Sequence, residues 1–131
     1  LRLSRLCSDE KLMVHAQKLF EAFSYNINNA PEYHAFMMNA YLYSMMPSFD
    51  IVIAGNQDDK TVSEMLKIIN SRYLPYSTVL INNNDEELKN TIPGMAGKEK
   101  KNGDVTAYIC RGFSCSRPVN DIESFRAELG K

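Results

Sequence analysis

The sequence is short of the features that point most directly to a class of function. There is no basic excess: Lys and Arg total 15 against 16 Asp and Glu, a net charge of −1 over 131 residues. A general nucleic-acid binder carries a surplus of cations, so no nucleic-acid partner is expected. No apolar run approaches the roughly 18 residues that a membrane helix needs. Arg2 and Arg5 are not followed by the apolar core of a signal peptide. Cysteine is sparse, with Cys7, Cys110 and Cys115 forming an odd set that has neither scaffold spacing nor a C-x-x-C pair. Reduced thiols in a cytoplasmic setting are the expectation. Neither G-x-G-x-x-G nor G-x-x-x-x-G-K-S/T occurs, which disfavours nucleotide binding, and no cofactor is expected. The two histidines, His15 and His34, and the cysteines show no zinc-type spacing, so no metal is expected either.

What is present reads as two unlike halves. Leu1, Leu3 and Leu6 fit the last turns of a helix, and Leu rather than Met at position 1 suggests a piece of something longer. Ser8-Asp9-Glu10 predicts a helix start, with a capping hydroxyl followed by acids. Leu12, Ala16, Leu19, Phe20 and Phe23 recur at helical spacing over residues 9–25, and the polar run Asn26–Asn29 ends that pattern. Ala30-Pro31-Glu32 opens a second helix that runs to Pro47, giving a helical hairpin over residues 1–48.

From Phe49 the pattern changes. Ile51-Val52-Ile53-Ala54-Gly55 has the continuous β-branched character of a buried parallel strand. An amphipathic helix follows Asp58 and Asp59, then a strand over residues 78–81 and a short helix over 85–91. A loop from Pro93 to Gly103 carries Lys98, Lys100 and Lys101, a strand covers 105–110, and Asp121–Leu129 forms a closing helix. The predicted fold is α/β: an N-terminal helical hairpin, then a small three-stranded parallel sheet with flanking helices over residues 49–131.

The stretch richest in chemistry is Tyr108 to Pro118. Cys110 falls at the carboxyl end of a predicted buried strand, where open α/β sheets place their sites. Arg111, Arg117 and a loop of backbone N–H groups could lower a thiol pKa or hold an anion. Sulfurtransferases and cysteine phosphatases leave five residues between Cys and Arg, whereas Cys110 and Arg117 are separated by six. Cys110 and Cys115 are therefore the thiol candidates, with Arg111 and Arg117 beside them. A Cys110–Cys115 disulfide requires the loop to bring the two Cα atoms within about 7 Å. The plainer alternative makes Cys110 a small core residue and packs Cys115 in the loop. Asp58 and Asp59 read as helix-start acids, the three lysines as a solvated loop, and Met37, Met38, Met45 and Met46 as a packing surface.

Thr106-Ala107-Tyr108-Ile109-Cys110-Arg111, followed by Phe113, Cys115, Pro118-Val119 and Asp121, resembles the C-terminal signature of the YyaL / spermatogenesis-associated protein 20 family. Ile51–Gly55 with Asp59 and Met65-Leu66 resembles the strand–helix unit before it, and Leu1–Leu6 the helix before the family's final hairpin. The resemblance implies long parent proteins with a thioredoxin-like domain and a six-hairpin α/α toroid similar to sugar epimerases and glycosidases. It implies that residues 1–48 end the toroid and that residues 49–131 are a C-terminal appendage. No family catalytic residue carries over onto this segment. The expected function is that of a structural or accessory segment of a carbohydrate-processing or redox-linked protein, inactive alone, whose partner is the remainder of the parent chain. Two readings of other classes stand beside it. One is a thiol-dependent enzyme or redox sensor using Cys110 or Cys115. The other is an interaction module whose apolar hairpin would make the isolated fragment self-associate.

Overall fold

The computed structural model describes residues 1–112 and 114–130. The chain divides into two units, Leu1–Pro47 and the remainder from Ser48.

The first unit is helical. Helix α1 (Arg2–Cys7) ends at Ser8, whose φ of 52° is left-handed. Ser8 is thus the end of α1, and Asp9 caps the next helix by accepting the N–H groups of Lys11 and Leu12. That helix, α2 (Glu10–Asn29), runs straight through Asn26–Asn29. The asparagines lower helix propensity without ending the helix, because a weak local preference yields to an established ladder of hydrogen bonds. A 3-10 turn at Pro31–His34 leads into α3 (Ala35–Met45). Phe20 meets Tyr41 edge-to-face with ring centroids 5.5 Å apart, closing the α2–α3 hairpin. Arg5 stacks over Tyr43 at 4.3 Å, and its Nη2 donates to the carbonyls of Tyr43 and Met46 at the end of α3.

The second unit carries a four-stranded mixed sheet, not the three-stranded parallel sheet expected. Its strands are β1 (Phe49–Ala54), β2 (Ser77–Asn82), β3 (Thr106–Arg111) and β4 (Ser114–Cys115), in the order β2-β1-β3-β4. Only β1 and β2 are parallel; β3 runs antiparallel to β1, and β4 antiparallel to β3. The reason lies in the connections. Helix α4 (Lys60–Asn70) carries the chain back along the sheet between β1 and β2, as a parallel crossover requires. The segment after β2 holds only α5 (Glu86–Thr91) and a 3-10 turn at Pro93–Met95, and it is tied down near where β2 ends. Asn82 Nδ2 donates to the Lys98 carbonyl, and the Tyr108 hydroxyl donates to that of Glu99. The chain therefore re-enters the sheet from that end, and β3 runs the other way.

One face of the sheet holds the main core. Ile51, Ile53, Ala107 and Ile109 pack against Val62, Met65, Ile68 and Ile69 of α4 and against Phe125 and Leu129 of α6 (Ile122–Leu129). Asp121 caps α6 by accepting the Ser124 N–H, which holds its carboxyl below the ordinary 3.8. Among the described residues, no helix is long and apolar enough to cross a membrane.

Candidate functional site

The strand alternation decides where the candidate residues go. Along β3, Cys110 and Tyr108 share one face with Asp50 and Val52 of β1, whereas Arg111 and Ile109 share the other with Phe49 and Ile51. Gly112, at φ 61°, turns the chain after β3, and Ser114–Cys115 comes back as β4 with Cys115 opposite Cys110. Ser116 donates its N–H and its hydroxyl to the Ile109 carbonyl, at 2.9 and 3.1 Å. This hydrogen-bonded neighbour places the cysteines at a position of the ladder where the strands approach most closely. Their Cα atoms are 3.9 Å apart and their sulfurs are bonded as a disulfide.

The arrangement corrects the expectation of three reduced thiols: Cys7 alone is free, and it is half-buried on α1. The cause is the hairpin, which the sequence had suggested only as a loop. Cys110 is buried as a core residue would be, at 6% exposure, but Cys115 lies exposed on β4 and not packed in a loop.

The two arginines do not join the sulfurs as a site. Arg111 projects to the opposite face, where its guanidinium stacks over Phe49 at 4.8 Å. Its Nη2 donates to the Glu128 carbonyl at 3.0 Å and its Nη1 lies 3.8 Å from the Glu128 carboxylate. It serves the C-terminal turn of α6, where a cation is favoured by the exposed carbonyls. Arg117 is exposed beyond β4. The strand-end argument also changes. Because β3 is antiparallel, Cys110 pairs with Asp50 near the start of β1, away from the carboxyl ends of the parallel pair.

The remaining candidates have structural partners. Lys100 pairs with Asp59 at 3.5 Å and Lys98 Nζ donates to the Gly94 carbonyl, while the Lys101 backbone forms a β-bridge with Asp104 and donates its N–H to Thr106 Oγ1. Lys89 lies between Glu86 and Glu99, and its hydrogen bond with Glu86 is the largest cause of its raised pKa. Burial raises the pKa of the Tyr108 hydroxyl. Among the described residues, no group of three or more His, Cys, Asp or Glu could hold a metal ion. Ser48 and Asp50 went unnoticed at the sequence level, since only the strand register brings them near the hairpin. Ser48 pins its tip by accepting the Gly112 N–H at 2.7 Å and donating to the Gly112 carbonyl at 3.0 Å. Phe113 of the resemblance motif lies outside the described residues.

No family model and no solved structure matches the chain significantly. Among curated proteins it is 24% identical over 123 residues to human spermatogenesis-associated protein 20, covering 92% of this chain and 16% of that protein. The rat protein of the same name is 25% identical with the same coverage. An uncharacterized protein of Caenorhabditis elegans is 26% identical across the whole chain and 18% of its own length. The chain therefore spans about a sixth of the length of these relatives. The chain is thus similar, over most of its length, to a segment of the much longer spermatogenesis-associated protein 20.

Proposed function

We propose that this chain works as a C-terminal structural segment of a larger protein, with its helical unit packed among further helices of the same parent chain. The observation that carries the reading is the state of α3. Its sequence, Ala35-Phe36-Met37-Met38 through Ala40-Tyr41-Leu42, is apolar on all sides, the pattern of a helix surrounded by protein. Yet Tyr43 is its one buried residue, while Phe36 is 91% exposed and Met45 64%. Helix α2 buries no residue at all. Apolar area of this extent favours a cover, at about 25 cal/mol for each Å² removed from water. Arg5 adds a second pointer, since its buried Nη1 has no hydrogen-bond partner among the described residues. An acceptor supplied by the covering chain would relieve a cost of about 1–3 kcal/mol.

The larger protein is read, from the resemblance at Thr106–Arg111 and its neighbours, as a six-hairpin toroid with a thioredoxin-like domain and a carbohydrate-processing or redox-linked activity. In that reading the present segment supplies structure and not catalysis. Oxidative footprinting tests it. Met45 and Phe36 should be modified readily in the isolated chain and protected at least about tenfold in a longer chain carrying the segment. Equal modification of both residues in the two settings would remove the proposed packing.

A further inference from the structure

The geometry points to the Cys110–Cys115 pair as a reversible dithiol–disulfide couple, one that a dithiol reduces in the folded protein, and not a brace on which the fold depends. The hairpin is held on both sides of the sulfurs without them. Its tip is fixed by the two hydrogen bonds between Ser48 and Gly112. Just past the pair, the N–H and hydroxyl of Ser116 both reach the Ile109 carbonyl. Farther down, Ala107 and Val119 exchange backbone hydrogen bonds of 2.8 and 3.0 Å. The bridge spans only five positions of sequence, so it removes little freedom from the unfolded chain.

The two sulfurs are also unequal in access. Cys115 is exposed and Cys110 is buried, so an incoming thiolate meets the Cys115 sulfur first. The thiolate bonds to Cys115 Sγ, the Sγ–Sγ bond breaks, and the electron pair leaves on Cys110. Asp50 stands opposite Cys110 on the same face, so the displaced sulfur beside that carboxylate takes a proton from solvent. The second thiol of the reductant then displaces Cys115 as a thiolate. The reductant ends as its own disulfide, two electrons having moved to the protein pair. Reoxidation by a small disulfide reverses these steps.

The test uses the full chain carrying Cys7→Ser, equilibrated in mixtures of reduced and oxidised dithiothreitol, then alkylated and weighed by mass spectrometry. Both cysteines should become reduced in one two-electron step, with the far-UV spectrum unchanged and the amide protection of Val52 and Ile53 lowered by no more than about thirtyfold, the loss that opening so short a loop allows. Single variants then locate the exchanging sulfur. With oxidised glutathione, Cys115 in Cys110→Ser should form the mixed disulfide at least about tenfold faster than Cys110 in Cys115→Ser. Collapse of β1 protection to that of an unfolded peptide on reduction, reduction only in denaturant, or equal rates for the two variants would each overturn the inference.

Discussion

Replacing Gly55 with alanine probes the point where β1 passes into the loop before α4. A Cβ at this position would lie 2.6 Å from Val62 Cγ2 and 3.2 Å from Val105 Cγ2, against about 3.5–4.0 Å for comfortable carbon contacts. Val62 is fully buried and β-branched within a helix, so it cannot rotate away from the new methyl. The overlap has to be relieved by moving α4 or the strand end, at a cost of about 1–3 kcal/mol. For a unit of this size, each kcal/mol lowers Tm by roughly 4–8 °C. Val62→Ala alone should cost about 2 kcal/mol, from its lost buried methyls and the void they leave. The double variant is the decisive arm. The added methyl at position 55 enters the space vacated at 62, so the double loss should fall short of the sum by at least about 1 kcal/mol. Urea denaturation followed by far-UV circular dichroism reads all three variants. Strict additivity, or a Gly55→Ala change below about 0.5 kcal/mol, would refute the packing of α4 on β1 described above.

Other perturbations reach different parts of the second unit. Phe125 is fully buried between α6 and the sheet, so Phe125→Ala should lower unfolding stability by about 3–5 kcal/mol in urea. Cys115→Ser opens a bridge of five-residue separation and should cost only about 2 kcal/mol by loop entropy, leaving a cooperative transition; a molten or unfolded variant would contradict this. Asp121 has a lowered folded pKa because it accepts the Ser124 N–H, so its stabilisation is complete above its ordinary 3.8 and fades as pH falls through the lower folded value. Asp121→Asn keeps a capping oxygen but should abolish this part of the acid sensitivity; an unchanged pH profile below about 4 would count against it.

Much of the second unit was legible because its signals are local. The β-branched run at Ile51–Ile53 marks β1, the spacing of Val62, Met65 and Ile69 marks α4, and the acids at 85 and 121 are caps in the structure. Strand direction was not legible. Buried on both faces, β3 reads as the same continuous apolar run whether its neighbour is parallel or antiparallel. Its direction follows from the hold on the connector at Asn82 and Tyr108, which pairs residues 16 and 9 positions apart. Strand β4 is two residues long and carries no periodicity to detect. Without β4 there was no register to oppose Cys110 to Cys115, and without the alternation of β3 there was no reason to send Arg111 to Glu128. In the helical unit the difficulty was one of propensity. Three asparagines within four residues looked like a stop, but α2 continues to Asn29.

The central claim is that the helical unit depends on a cover from a larger chain while the α/β unit does not. Amide hydrogen exchange on the isolated chain tests it most directly. The account predicts that the backbone amides of β1 and β3 exchange near the rate of global unfolding, while those of α2 and α3 exchange within about tenfold of an unfolded peptide. Protection of α2 and α3 equal to that of β1 would contradict it.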